Sequence, residues 1–200
     1  ISFAEEGEEQ TLTLTVTPNH TEEGILSLSV KIGDEVFNRG LRIIRYEHIP
    51  VQTLFPRAET KLAKVNLKSN GKRIGYVPGA GDMIPESLKQ IGYDVTILSE
   101  NAIFNSNLSG FDAIVVGVRA YNTNKRIQFI QAKLLDYVKN GGNLLVQYNV
   151  SGGLVTQNIG PYPFAISRTR VTDENAPVRF LDPAHPVLNY PNKINEKDFE

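Results

Sequence analysis

Six polar residues stand where apolar runs of this chain give out. Asp82 follows the run Ile74 to Val77, and Arg119, Tyr121 and Asn122 follow Ala113 to Val118. Gln147 and Asn149 close the run from Asn143. If those runs are parallel strands with both faces covered, their carboxyl ends are where ligands gather. An arginine there is a fixed cation. Amides beside a tyrosine ring suit sugars, through hydrogen bonds and ring contact. Each residue also has a plainer use. Asp82 can cap a helix start, Arg119 can pair with Asp82 or Glu86, and the amides can cap strand ends. Gly79-Ala80-Gly81 leaves amides open before a helix, which favours anions. The dinucleotide fingerprint, however, needs a third glycine where Ile84 stands.

Several chemistries lack their residues. The chain has no cysteine, so disulfides, thiolate nucleophiles and thiolate zinc sites are excluded. His20, His48 and His185 fall in three separate segments without metal-ligand spacing. No metal and no cofactor is therefore expected. His185, in Asp182-Pro183-Ala184-His185-Pro186, has a carboxylate three residues earlier, which is thin ground for acid–base work. No G-x-S-x-G elbow occurs, and Ser151-Gly152-Gly153 lacks that pattern. A net charge of −1 gives no footprint for nucleic acid. No apolar run approaches the roughly 20 residues that cross a bilayer.

The elements that would position the six residues come from periodicity. Residues 1–50 read as β: Leu12, Leu14 and Val16 alternate with threonines, and Leu26, Leu28, Val30 and Ile32 with serines and a lysine. Gly33-Asp34 reads as a hairpin turn before Val36-Phe37, and a further strand runs near Leu41 to Tyr46. So few strands cannot close a sandwich, which takes about seven. They read as the later part of an immunoglobulin-like domain. Residues 51–71, with Pro50 before them and Pro56 within, read as a linker.

From residue 72 to 200 the pattern is α/β. Strands are expected near 73–78, 94–98, 113–118 and 143–149. Ile84, Leu88 and Ile91 mark one helix face; Ile127, Ile130, Leu134 and Val138 mark another. Gly92 and Asn140-Gly141-Gly142 read as helix stops. A possible strand covers Val178 to Leu181. The rigid loop from Ile159 to Phe164, with Arg168 and Arg170 nearby, reads as a lid or as a surface packed on a neighbouring domain.

Ile74 to Asp82, Tyr137 to Val146 and Asp182 to Leu188 resemble the class I glutamine amidotransferase-like fold, in particular its trehalose-utilisation (ThuA-like) branch. That likeness implies a flavodoxin-like parallel sheet with flanking helices. A longer likeness covers nearly the whole chain. GYVPGAGDMIPESL, GVRAYN, NGGNLLVQYN, IGPYPFAISRTRVTDENAPV and HPVLNYPNKI are similar to the C-terminal region of the large PIG-L (LmbE-like) deacetylases of Bacteroidetes-type bacteria. It implies a deacetylase domain in the same polypeptide as partner, and a periplasmic or extracellular place. Neither the amidotransferase cysteine nor the deacetylase His-Pro-Asp-Asp cluster is present.

The expectation is thus a non-catalytic, amidotransferase-like accessory module of a carbohydrate N-deacetylase. It would bind glycan through Asp82, Arg119, Tyr121, Asn122, Gln147 and Asn149, or pack on the catalytic domain. Tyr121 would offer a flat face. Two alternatives stand beside it: a hydrolase using Asp82, His185 and a water, and a purely architectural oligomerisation module.

Overall fold

The structure, a computed structural model, describes residues 5–14, 16, 24–62 and 66–199. The chain divides into two units, Ile1–Asn66 and Leu67–Glu200.

The first unit holds β1 (Gly24–Ser27), β2 (Val30–Ile32), β3 (Glu35–Phe37), β4 (Arg42–Ile44), β5 (Gln52–Leu54) and β6 (Glu59–Leu62). They form three antiparallel pairs: β1 with β6, β2 with β3, and β4 with β5. Gly33-Asp34 turns the β2–β3 hairpin, with Ile32 opposite Glu35 and Gly33 at φ 59°, the positive angle that primed hairpin turns require. Leu28 N–H donates to Ala58 O and Ala58 N–H to Asn38 O, which stitch neighbouring pairs.

Two expectations change here. Residues 51–71 are more than a linker, because they supply β5 and β6. Pro50 and Pro56, read as breakers, fall outside both strands, so the segments beside them are free to pair with β4 and β1. The alternating stretch from Leu12 forms no strand in its described residues, and His20 lies outside them. No residue of 24–62 is buried.

The second unit runs β7 (Arg73–Val77), α1 (Ile84–Gln90), β8 (Asp94–Ile97), α2 (Glu100–Asn105), β9 (Ala113–Val116), α3 (Ala120–Thr123), α4 (Ile127–Lys139), β10 (Asn143–Val146) and α5 (Pro186–Asn189). Short 3₁₀ turns occupy Leu108–Gly110 and Glu196–Phe199. The sheet has the order β10-β9-β7-β8, all parallel. It is a four-stranded parallel sheet flanked by helices, compatible with a flavodoxin-like core. Chain order reverses between β7 and β9, so the topological switch point lies at their carboxyl ends.

Register divides the side chains. Val77, Val116 and Val146 share one face, and α2, α3 and α4 cover it. In α4, Ile127, Ile130 and Leu134 recur at helical spacing and are at most 1% exposed. Burying each is worth roughly 1.5–3 kcal/mol. Lys139 and a left-handed Gly141 then end the helix. Tyr76 and Val115 lie on the other face, packed with Leu88 of α1. Ile97 and Leu145 share that face at the sheet's two edges and remain exposed.

α2 is absent from the sequence reading, although Ser99 caps it by accepting from the Ala102 N–H. The strand expected at Val178 to Leu181 does not form, and this segment has no ladder partner among the described residues.

The entry to the sheet is clamped. Lys68 exchanges two 2.8 Å hydrogen bonds with the Asn192 side chain, and Asn70 donates to the Tyr190 hydroxyl. The Asp112 carboxylate accepts the backbone N–H groups of Lys72 and Arg73, at 2.7 and 2.8 Å. These two bonds hold its carboxyl below the usual range.

Candidate functional site: the carboxyl ends of the strands

The loops after β7 and β9 close on each other. Ala80 N–H donates to Val118 O at 2.8 Å, and Gly117 N–H donates to Val77 O at 2.8 Å. A Cβ on Gly79 would lie 2.2 Å from Val118 O, and one on Gly117 would lie 2.4 Å from the Tyr76 hydroxyl. Both glycines are there because two backbones meet without room for a side chain. The crevice expected at the switch point is therefore filled by polypeptide.

Asp82 completes the closure. Its carboxylate accepts from the Tyr76 hydroxyl at 2.6 Å, from Ile84 N–H at 3.0 Å and from Val118 N–H at 3.2 Å. Burial pushes the carboxyl up, but those three hydrogen bonds outweigh it and hold the group below the usual carboxylate range. Burial first, and then the adjacent Asp82 charge, drive Tyr76 far above the tyrosine range.

The amides are also engaged. Asn122 donates to Val150 O and Gly152 O and accepts from Val150 N–H, each at 3.0 Å. Asn149, 6% exposed, accepts from Tyr121 N–H and donates to Gln147 O. Together they fix the turn after β10 to the start of α3. Gln147 differs, since its Nε2 is buried with no hydrogen-bond partner among the described residues.

Tyr121 departs from its expected place. It is 0% exposed and donates its hydroxyl to Gln131 Oε1 at 2.6 Å, so it presents no face to a ligand. The side chain turns inward because α3 begins one residue earlier and lays it against α4. Burial pushes its hydroxyl up to about 12.

Arg119 is the outlier. Among the described residues it alone, apart from glycines, has a positive φ (54°, ψ 22°). Left-handed backbone costs an ordinary residue roughly 1–2 kcal/mol. The bend persists because it is held on both sides. Arg119 N–H donates to Tyr148 O at 2.7 Å, and Arg119 O accepts from the N–H groups of Asn122 and Thr123. Strand, left-handed residue and helix follow one another, as in the elbow that presents a nucleophile above a parallel sheet. The residue so presented is an exposed arginine. No hydrogen bond or ion pair reaches its guanidinium among the described residues, so the pairing with Asp82 or Glu86 is not made.

The amides that would stabilise an oxyanion at such an elbow are taken. Ala120 N–H donates to Gly117 O at 3.1 Å, and Ala80 N–H to Val118 O. His185 is committed elsewhere: its Nδ1 accepts from Val187 N–H and caps α5.

The structure thus gathers Asp82, Asn122 and Asn149 into loop ties, leaves the Gln147 amide buried, sends Tyr121 inside, and leaves Arg119 facing solvent. Tyr76, Gln131 and Asn124 escaped the sequence reading. For Tyr76 a signal existed, because a tyrosine inside a buried strand needs a partner for its hydroxyl. A cleft of about 300 Å³ lies at the carboxyl ends of β7 and β8, lined by Pro78, Leu98, Ser99, Glu100 and Asn124 among others. A cleft of about 500 Å³, with Asp112, Lys133 and Tyr137, lies at the opposite, amino ends of the strands.

No family model, curated protein or solved structure matches this chain.

Proposed function

We propose that this chain is a non-catalytic recognition module built on a class I amidotransferase-like scaffold. It serves a PIG-L/LmbE-type carbohydrate N-deacetylase of the same polypeptide, in a periplasmic or extracellular setting, and binds glycan at the carboxyl ends of its strands. One observation carries the reading: the elbow bears Arg119 where bond-breaking would need a nucleophile, and the neighbouring amides are bonded to backbone. The guanidinium is a donor without a partner, which suits recognition. The hydrolase alternative loses ground, because Asp82 and His185 are each spent on separate local hydrogen bonds.

The first unit favours a packing role alongside. It presents Ile25, Leu28, Val30, Ile32, Val36 and Leu41 to solvent, each more than half exposed, as the immunoglobulin-like half of a sandwich would before its second sheet covers it.

The test is twofold. Calorimetric titration of the chain with amino-sugar oligomers is expected to show binding, and assays with amide and ester substrates are expected to show no turnover. Turnover that one substitution at Asp82 or His185 abolishes would overturn the reading.

A further inference from the structure

The cleft of about 500 Å³ at the amino ends of the strands has walls fixed by side-chain ties. The Tyr137 hydroxyl donates to Phe111 O at 3.0 Å, and Asn143 Nδ2 donates to Asp112 O at 3.1 Å. The Lys133 ammonium donates to Phe104 O. A Cβ on Gly142 would lie 2.3 Å from the Tyr137 ring, so the ring rests on bare backbone there. These contacts join α2 and α4 to the amino ends of β9 and β10, so the cleft is formed before any ligand arrives.

Several polar groups on its wall are unspent. Among the described residues the Asp136 carboxylate accepts no hydrogen bond and joins no ion pair. Asp112 takes both of its backbone donors on Oδ2, which leaves Oδ1 open among those residues. Asn107 spends its Oδ1 on Ser109 N–H, and Asn140 its Nδ2 on Asp136 O, which leaves one amide donor and one amide acceptor. Two carboxylates thus line the cleft against one ammonium that is already engaged. Asp136 also lies in the last turn of α4, where the helix macrodipole disfavours a negative charge. A charge kept where it weakens its own helix suits a functional role.

We propose that this cleft is a second binding site, for an ammonium-bearing amino sugar, with Asp136 as the counter-charge of the ammonium and Asp112 adding to its field. The site lies at the other end of the sheet from the strand-end reading and does not rest on it. Its volume falls within the range of small-molecule sites. Asn107 offers a donor and Asn140 an acceptor for sugar hydroxyls. Leu108 and Phe111 give an apolar wall for the C–H face of a ring. A bare metal ion fits less well, because among the described residues no three acidic, histidine or cysteine side chains could hold one. A phosphate chain would meet like charge.

The experiment titrates wild type, Asp136→Asn and Ser109→Trp with a glucosamine tetramer, with the N-acetylglucosamine tetramer and with spermidine. Asp136 and Ser109 are both exposed, so neither change disturbs the core. The glucosamine tetramer is expected to bind at least tenfold tighter than its acetylated counterpart, and to weaken as salt is added. Asp136→Asn is expected to lose at least fivefold in affinity while its melting temperature holds or rises, since the unfavourable helix-end charge is gone. Ser109→Trp, which fills the cleft from its rim, is expected to lose as much. Equal binding of the two tetramers would overturn the claim for the ammonium, and spermidine binding as tightly as the glucosamine tetramer would overturn the claim for the sugar. A glucosamine tetramer that binds both variants like wild type sits elsewhere; this site then falls and the strand-end reading stands. If neither tetramer binds, both fall. A marked drop in melting temperature with Asp136→Asn would make the carboxylate structural and would also sink the proposal.

Discussion

Ile32 in the first unit is 64% exposed, and Ile114 in the second is 0% exposed. Both sit in strands, Ile32 in a stretch of alternating apolar and polar residues and Ile114 in a continuous apolar run. The difference lies in what each strand has beside it. Around Ile32 there is one hairpin partner, and two-stranded ribbons are marginal in water. Around Ile114 there are strands on both sides and helices over the face. Every buried hydrophobic among the described residues falls between Ile74 and Ile159. Period-two alternation therefore records a face meant for burial, while burial itself needs a second layer.

The contrast can be broken or sharpened in order of effect. Leu134→Ala is expected to cost about 2–5 kcal/mol, because the side chain is fully enclosed and its cavity cannot collapse. Denaturant unfolding followed by circular dichroism checks it; a loss below about 1 kcal/mol would mean the core is looser than described.

Tyr121→Phe is expected to cost about 1–3 kcal/mol, since it strips its hydroxyl from a buried Gln131 whose Nε2 already lacks a partner among the described residues. Adding Gln131→Leu should recover most of that loss, and a strictly additive double variant would refute the coupling.

Alkaline pH should act on the second unit. Tyr76, Tyr121 and Tyr137 all have hydroxyls raised by burial. A raised native value means the unfolded chain ionises first, near pH 10, so the stability is complete below about pH 10 and drains away above it. Ultraviolet titration of the eight tyrosines should show these three ionising only at higher pH or on unfolding. At the acid end the sign reverses for Asp82: its contribution is complete above about pH 4 and is lost as pH falls through its lowered native value. Asp82→Asn should flatten that acid limb.

Ile32→Ala should change stability by no more than about 0.5 kcal/mol in this chain, because little of the side chain leaves water. A larger loss would show that the first unit has a core after all.

The four strands of the second unit and its helices α1 and α4 were legible because continuous apolar runs and a 3.6-residue period both announce themselves. The period marks Ile127, Ile130, Leu134 and Val138 as the core face of their helix; the first three are buried and Val138 is partly so. α2 was missed because six residues are too few to display a period. Val178 to Leu181 misled for the converse reason: β-rich residues without an available edge do not make a strand. At the strand ends, residue type located the six polar side chains, but only geometry separates Asp82, spent on two loops, from Arg119, spent on nothing. The left-handed bend at Arg119 has no sequence mark, since that conformation is usually announced by glycine.

The clamp around Lys68, Asn70 and Asp112 has a mechanical corollary. A tug applied from the amino-terminal side meets two Asn192 bonds, the Asn70–Tyr190 bond and two Asp112 bonds in succession before it can unzip the first strand of the sheet. Tension on the tether would thus be absorbed at the doorstep of the α/β unit, and the elbow at its far end would keep its shape under load.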